Sequence, residues 1–239
     1  MFILAWSLTQ AVAARDIKVA FDQDKAPYVW VEGGQVKGIE VDIVSAALAV
    51  SGDNIVPTLL PNRRVAVALA DGSADAITGV QEGQVGEVFY SDIYLIYTNV
   101  AATRKVKGIK LDGLPDIFGY SVAAWQKAWE DLELGRLHPA GPGDLSYTEF
   151  TSQYRQAKFF WAGRADIDIV DRNIFLWYAH RLAREMDTSA EITFHEILPS
   201  LGVRAAFRYA ADRDAFNAGL KKIQASGQID RIYDKYGLR

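Results

Sequence analysis

The side chains that most often carry out chemistry are scarce and scattered in this chain. Its 239 residues contain no cysteine and only three histidines. His138, His180 and His195 lie without the spacing of metal ligands. Glu82, Glu87 and His195 are not spaced so as to single out a general acid. We therefore predict no catalytic residue, no metal site and no cofactor.

The charge balance argues against a nucleic-acid partner. The formal net charge is −4 and the isoelectric point is near 5.4. No stretch concentrates lysine and arginine into the basic face that nucleic-acid-binding proteins usually have. Because 50% of the residues are apolar, the chain can bury one large core or two small ones.

The first residues favour export. A short apolar run precedes the AVA of residues 11–13, which has the A-x-A form that a signal peptidase accepts. Residues 1–14 are therefore predicted to be a signal-peptide remnant, and a frayed N-terminal tail is the alternative. No later segment approaches the roughly 20 uninterrupted apolar residues that a membrane-spanning helix needs.

One local pattern occurs twice in the chain. DGSADAIT and AGRADIDI share Gly, any residue, Ala, Asp and then an apolar stretch, and each follows a helix-like run. A helix that stops at Gly72 or Gly163, where left-handed backbone carries no Cβ strain, and then becomes a short apolar strand is half of a helix-to-parallel-strand connection. The predicted strands are Ala76–Val80 and Ile167–Asp171.

The elements around these joints predict two doubly wound α/β lobes. A strand ending at Asp22, a helix stopping at Gly52, another strand and a helix capped by Asn62 lead to the first joint. A similar series surrounds the second joint. The lobes are predicted at residues 15–98 plus 203–239 and, inserted between them, residues 99–202. Ligands lie at the carboxyl ends of strands in such sheets, so both lobes would face one cleft.

The organisation resembles that of the bacterial extracellular solute-binding proteins of family 3, type II periplasmic proteins that deliver polar amino acids and related small molecules to membrane importers. The resemblance runs along nearly the whole chain after its first residues. Four segments carry it in order: IKVAFDQDKAPYVWVEGGQVKGIEVDIVSAAL, ALADGSADAITG with YSDIYL, GRADIDIVD, and GLKKIQASGQIDRIYDKYG.

The resemblance implies a Venus-flytrap fold, in which two lobes joined by two crossover strands close on a ligand by hinge motion. It implies a binding function rather than catalysis. The implied partners are a small-molecule ligand and the membrane permease of an ABC importer. A periplasmic protein is implied as well, and we expect it to be a monomer.

Two acidic residues acquire ligand-binding roles from the resemblance. Asp22 matches an acidic position that family members aim at a ligand amino group, and Asp171 matches the acidic residue of the opposite lobe. Asp at a strand end is also a common cap of the following helix. Both roles therefore stay open for Asp171.

Departures from the family pattern bear on the ligand. After the first joint, family members usually carry an arginine that holds the ligand α-carboxylate, but DAITGVQEGQVGEVFYSDIY contains neither Arg nor Lys. In the second lobe WQKAW replaces a Gly-Ser-Thr that donates to the same carboxylate. We therefore predict a small polar or aromatic ligand that is not a standard α-amino acid held by the usual arginine.

Other residues complete the predicted site. Lys25 stands where an aromatic often stacks, and Arg63 lies near a helix start that should point at the cleft, although it could be only a solvated helix start. Trp125 and Tyr28 are candidate walls for a planar part of the ligand, although Tyr28 could pack underneath. The predicted ligand-binding residues are Asp22, Lys25, Tyr28, Asn62, Arg63, Thr78, Gly79, Trp125, Gln126 and Asp171.

Two other functions stay open. One is a ligand-sensing subunit whose closed form is read by a membrane receptor, which the sequence does not separate from a transport protein. The other is an enzyme, because some relatives with this fold are dehydratases that act on cyclic carboxylic acids. A dehydratase needs a positioned acid and a carboxylate clamp, and the sequence lacks the clamp.

Overall fold

The chain forms two β-sheets and one β-hairpin with helices packed on them, in a computed structural model that describes residues 14–23, 25–139, 141, 143 and 146–238. The predicted signal-peptide remnant, residues 1–14, lies outside this part of the chain except for residue 14. In chain order the strands are β1 (Asp16–Asp22), β2 (Trp30–Glu32), β3 (Gln35–Lys37), β4 (Asn54–Leu60), β5 (Ala76–Val80), β6 (Phe89–Tyr90), β7 (Leu95–Tyr97), β8 (Asn99–Arg104), β9 (Val122–Trp125), β10 (Tyr147–Phe150), β11 (Ile167–Asp171), β12 (Ile192–His195) and β13 (Leu201–Phe207).

Helices follow most of the parallel strands. The α-helices are α1 (Ile39–Ala49), α2 (Asn62–Ala70), α3 (Ala128–Asp131), α4 (Gln153–Trp161), α5 (Arg172–Leu182), α6 (Ala210–Ala225) and α7 (Gln228–Lys235). Short 3₁₀ turns span Lys105–Lys107, Leu114–Gly119 and Leu134–Arg136.

Each sheet combines parallel and antiparallel strands. The first has six strands in the order β4-β1-β5-β13-β6, with β7 also beside β13, and β1 runs parallel to both β4 and β5. The second has five strands in the order β10-β9-β11-β8-β12, and β9 runs parallel to β10 and β11. Strands β13 and β8 are antiparallel to their neighbours.

The chain crosses between the sheets twice. β7 of the first sheet is followed, after Thr98, by β8 of the second, and the chain returns from β12 to β13 through residues 196–200. Leu201 at the start of β13 pairs with Tyr97 at the end of β7, so the crossings lie side by side. The predicted fold class, two α/β lobes joined by two crossover strands, is confirmed. The exact lobe limits stay a prediction, and β13 begins shortly before the predicted return at residue 203.

Both predicted helix-to-strand joints contain a left-handed glycine. α2 and α4 end just before Gly72 and Gly163, whose φ angles are 86° and 77°. A side chain is strained in this region of backbone space, and glycine is not. Ala74 and Ala165, which follow, are buried, and the chain then enters β5 and β11 beside a parallel neighbour.

The aspartate of each joint is bonded to the start of the neighbouring strand. Asp75 Oδ2 accepts a hydrogen bond from the Lys18 backbone N–H at 2.9 Å. Asp166 Oδ2 accepts from the Ser121 N–H at 3.3 Å and from the Ser121 hydroxyl at 2.7 Å. The repeated motif therefore turns the chain and also bonds it to the first half of one neighbouring strand and to the residue before the other.

The largest apolar cluster extends from the first lobe into the second. It includes residues of β1, α1 and α6 together with Phe160 of α4 and Phe175 of α5. Across the same contact, the Trp30 ring of β2 lies 5.1 Å from the Trp177 ring of α5 and 5.5 Å from the Tyr236 ring. The two lobes are therefore packed against each other along this side.

Asp168 of β11 is a buried acid that gives the stability a pH dependence. Its Oδ1 accepts from Gln156 Nε2 at 2.7 Å, and burial raises its pKa from 3.8 to about 7. The unfolded chain releases this proton at about pH 4, whereas the folded chain holds it until about pH 7. The stability linked to this group is therefore full below about pH 4 and is lost as the pH rises towards 7.

We expect Asp168→Asn, which keeps the acceptor for Gln156 and has no proton to lose, to remove this dependence. Between about pH 4 and pH 7 its free energy of unfolding should rise relative to the parent by roughly 1–3 kcal/mol, measured by urea unfolding. Asp166→Asn is the matched control. The Ser121 hydroxyl lowers the pKa of Asp166, so this variant should lose stability relative to the parent as the pH rises. Parallel pH profiles for Asp168→Asn and the parent would contradict the assignment.

Candidate functional site

A cavity lies between the lobes, at the carboxyl ends of strands from both sheets. Its volume is about 70 Å³, several times the roughly 10–15 Å³ that one water molecule needs. The lining residues come from the ends of β1, β9 and β10, from β5, β7, β8, β11 and β13, from α3, from the starts of α2, α4 and α5, and from the loops that follow β1, β9 and β10. They are Asp22, Gln23, Lys25, Asn62, Gly79, Tyr97, Asn99, Trp125, Gln126, Asp131, Phe150, Thr151, Gln153, Asp171, Ile174 and Leu201.

The first lobe presents a paired carboxylate to the cavity. Asp22 Oδ2 accepts from Asn62 Nδ2 at 3.2 Å and lies 3.5 Å from Lys25 Nζ. Burial raises the pKa of Asp22, although Lys25 and Asn62 act in the opposite direction. Asp22 thus already has a cation of its own chain beside it.

A second carboxylate, Glu40, lies beneath this pair. Glu40 is 1% exposed, and its two oxygens accept from the hydroxyls of Tyr94 at 2.6 Å and Tyr97 at 3.1 Å. Burial, followed by the charge of Glu40, raises the pKa values of both tyrosines well above 10.0. The tyrosines therefore remain hydrogen-bond donors, and they hold Glu40 in place under the floor of the cavity.

The second lobe contributes the indole ring of Trp125, which is hydrogen-bonded to the carboxylate of Asp131. Trp125 Nε1 donates to Asp131 Oδ2 at 3.0 Å, and Lys127 Nζ lies 3.7 Å from Asp131 Oδ1. Burial raises the pKa of Asp131, and the bond from Trp125 opposes it. This bond fixes the orientation of the Trp125 ring, which forms a flat wall of the cavity together with Phe150.

Two glutamine side chains of the second lobe have buried amide oxygens without a hydrogen-bond partner among the described residues. The backbone N–H of Gln126 donates to the Phe150 carbonyl at 2.9 Å, and Gln153 starts α4 after the N-cap Ser152. Gln126 Oε1 and Gln153 Oε1 are buried and have no hydrogen-bond partner among the residues that the structure describes. Buried acceptors are normally satisfied, so both are suited to accept from a bound molecule.

Asp171 caps a helix and lines the cavity at the same time. Its Oδ1 accepts from the backbone N–H groups of Asn173 at 2.9 Å and Ile174 at 3.1 Å, which makes it the N-cap of α5. The Tyr28 hydroxyl also donates to Oδ1, at 3.2 Å, and the Thr98 N–H donates to Oδ2 at 2.9 Å. The capping role is thus present, and contact with a ligand stays a prediction.

The structure brings most of the predicted site residues together. The ones in the cavity lining are Asp22, Lys25, Asn62, Gly79, Trp125, Gln126 and Asp171. Thr78 lines an adjoining cavity, also of about 70 Å³, that shares Asp22, Asn62 and Gly79. Tyr28 is buried and Arg63 is exposed, and both lie outside the two linings. Ligand contact by each of these residues remains a prediction.

Sequence reasoning missed Glu40, Asp131, Phe150 and Gln153. Glu40 carried a signal, because it stands between Ile39 and Val41 in a helix whose other inward residues are apolar. Asp131 and Gln153 lie in polar segments where nothing distinguishes them from solvated neighbours. Their position depends on how the second lobe faces the first.

The cations that line the two cavities are lysines in the described part of the chain. No arginine lines either cavity there, and the lining cations are Lys25 and, in the adjoining cavity, Lys127. Within the same residues, no group of three or more histidine, cysteine, aspartate or glutamate side chains is arranged to hold a metal ion.

The sequence matches a protein family over residues 17–239, the family described as bacterial extracellular solute-binding proteins, family 3. This chain belongs to that family. The match begins at the second residue of β1 and includes both lobes. Members of this family are extracellular solute-binding proteins.

Solved structures show the same fold at low sequence identity. The arginine-, lysine-, histidine-binding protein ArtJ from Geobacillus stearothermophilus is 17% identical, with a TM-score of 0.74 over 92% of this chain and 94% of that one. A histidine kinase sensor domain similar to periplasmic binding proteins is 20% identical, with a TM-score of 0.76 over 93% and 96%. The ancestral amino-acid-binding protein AncCDT-1, a precursor of cyclohexadienyl dehydratase, is 19% identical, with a TM-score of 0.74 over 92% and 94%.

Two other comparisons are brief. No curated protein sequence matches this chain. Among the described residues, none of the helices has both the length and the apolar character needed to span a bilayer.

The Tyr28 hydroxyl links the lobes, and its removal should weaken that link. It donates to Asp171 and accepts from Asn173 Nδ2 at 3.1 Å. We expect Tyr28→Phe to lower the free energy of unfolding by about 1–2 kcal/mol, because a buried hydrogen bond is lost while the α5 cap remains. Asp171→Ala, which also removes the cap, should lower it further. Urea unfolding checks both values, and equal losses in the two variants would contradict this account.

Proposed function

We propose that this protein captures a small polar or aromatic molecule in the cavity between its lobes and delivers it to an ABC-type importer. The observation that carries the proposal is the cavity itself, which both lobes line with flat aromatic side chains and amide groups. Aromatic walls with a few placed polar groups are typical of small-molecule sites. Such a carrier works in the periplasm as a monomer.

Among the described residues, the cavity lacks the arginine that would hold the α-carboxylate of an amino-acid ligand. No arginine of the described residues lines the cavity, and a guanidinium is the group best suited to hold a carboxylate with two parallel bonds. The free acceptors are the amide oxygens of Gln126 and Gln153. A ligand with a planar part against Trp125 and with N–H or O–H donors towards these amides fits best.

Contact of the ligand with both lobes would bring the lobes into a closed arrangement on binding. Asp22 and Asn62 stand on one lobe, and Trp125, Gln126 and Gln153 on the other. A ligand that touches both sides has a higher affinity for the closed arrangement and shifts the population towards it by that difference alone. The importer would then recognise the closed form.

A second candidate function is ligand sensing. The similarity to a histidine kinase sensor domain, at a TM-score of 0.76, supports it, because the same closing motion serves a receptor as well as an importer. Co-purification with a membrane permease favours delivery, and co-purification with a receptor favours sensing. We propose no catalytic step, since the described residues of the cavity lining include no arginine that could clamp a carboxylate. An absence of turnover of the bound molecule tests this point.

A thermal-shift screen over amino acids, polyamines, aromatic acids and other small metabolites tests the proposal. A ligand present at 100 times its Kd and bound only by the folded state adds about 2.7 kcal/mol to the stability. We expect a hit outside the standard α-amino acids. Strong stabilisation by an ordinary L-amino acid would contradict the ligand class.

The hit should depend on Trp125. We expect Trp125→Ala to weaken binding at least about tenfold, roughly 1.4 kcal/mol, because it removes the flat wall. Titration calorimetry measures the Kd, and an unchanged Kd would contradict this role of Trp125. Arg63→Ala tests the contact predicted for Arg63, which is exposed outside the lining. A weaker Kd in this variant would support that contact, and an unchanged Kd would count against it.

A further inference from the structure

We propose that Lys25 is a tethered cation that fills an ammonium-binding subsite in this chain's own cleft, formed by Asp22, Glu40 and Tyr97. Because Lys25 fills this subsite, the cleft selects against ligands that bring a cation to the same position. The selectivity deepens the proposed function and rests on it. The filled subsite itself is tested without the natural ligand.

The surroundings of the Lys25 ammonium are those of a bound cation. Nζ lies 3.5 Å from Asp22 Oδ2 and 4.8 Å from the centre of the Tyr97 ring. The Lys25 side chain is only 14% exposed. Carboxylates and aromatic faces both attract ammonium ions in proteins.

The Glu40 carboxylate also lies near the Lys25 ammonium. A Cβ built on Gly79 would lie 3.6 Å from Lys25 Nζ and 3.5 Å from Glu40 Oε1, so both groups border the small space that this glycine leaves open. Burial disfavours the charged amine of Lys25, but Asp22 and Glu40 outweigh it and raise the pKa of Lys25. The side chain is therefore a cation at neutral pH.

The backbone holds Lys25 in position. Its N–H donates to the Val29 carbonyl at 2.9 Å, and its carbonyl accepts from Tyr28 N at 2.9 Å and Val29 N at 3.1 Å. These bonds fix the Cα of Lys25 beside the cavity. The burial of its side chain and the contacts of Nζ with Asp22 and Tyr97 then place the ammonium.

Removal of Lys25 would leave two neighbouring carboxylates without a cation. Asp22 would keep Asn62, and Glu40 would keep its two tyrosines. The other lysine near the cleft, Lys127, is paired with Asp131 on the opposite lobe. An uncompensated buried charge strongly destabilises a fold, so the empty subsite should bind a small ammonium ion from solution.

The test is chemical rescue of Lys25→Ala. This variant removes Cγ, Cδ, Cε and Nζ, which are the heavy atoms of n-propylammonium. We expect Lys25→Ala to unfold at a lower temperature than the parent and n-propylammonium chloride to restore its stability saturably. The parent, whose subsite is filled, should show at least about tenfold weaker apparent affinity for the same ion. Tetramethylammonium chloride at equal concentration is the salt control and should restore stability at least about tenfold less well, because it can contact the Tyr97 face but has no N–H to donate to Asp22.

Two further variants separate charge from space. Lys25→Met fills the volume of the side chain without its charge, so n-propylammonium should not rescue it. In the double variant Asp22→Asn/Lys25→Ala, one carboxylate of the subsite is neutral, and the apparent affinity for n-propylammonium should fall at least about tenfold below that of Lys25→Ala. Equal stabilisation of Lys25→Ala by the two ammonium salts, or equal rescue of Lys25→Met, would overturn the proposal.

The outcome is independent of the ligand screen. Rescue without any hit in the screen would support the filled subsite and count against the proposed carrier function, and a hit without rescue would do the reverse. If Lys25→Ala does not fold alone, the yield of folded protein after refolding in n-propylammonium chloride replaces the melting curve. A yield no higher than in tetramethylammonium chloride would then overturn the proposal.

Discussion

One carboxylate, that of Asp171, holds together the parts on which the rest of the structure depends. It caps α5, accepts from Thr98 at the first crossing between the sheets, and accepts from Tyr28 of the first lobe. The same side chain lines the cavity. Helix start, crossover and interlobe contact thus meet at one residue, and the second lobe has a fixed orientation relative to the first wherever these bonds are intact.

A buried acid beside the cavity, Glu40, is anchored to the same crossing by a different route. Glu40 belongs to α1, yet its two donors, Tyr94 and Tyr97, flank and end β7 just before the chain leaves the first sheet. Buried charges persist in proteins when they are bonded or paired. Here the bonds come from the segment that leads into the first crossing between the sheets, and the charge of Lys25 lies nearby. The polar side of the cavity and this crossing are therefore connected.

The sequence was sufficient to predict the two-lobed architecture and those cavity residues that lie at the ends of strands. The two glycine-ended joints and the carboxylates at strand ends depend on local rules, and each is found where these rules predict. The buried position of Tyr28, the exposure of Arg63 and the contributions of Asp131 and Gln153 depend on contacts between lobes. Tyr28 and Asp171, for example, are 143 residues apart in the chain. No local pattern encodes the angle at which two lobes meet, and that angle decides which polar residues face the cavity.

The contact between Trp30 and Trp177 has an optical consequence. Their rings are 5.1 Å apart and inclined by 47°, and one indole belongs to each half of the molecule. The transitions of two indoles this close couple electronically, and the resulting circular-dichroism signal weakens steeply as the rings separate. The protein therefore carries a label-free optical reporter of the contact between its halves, outside the cavity lining.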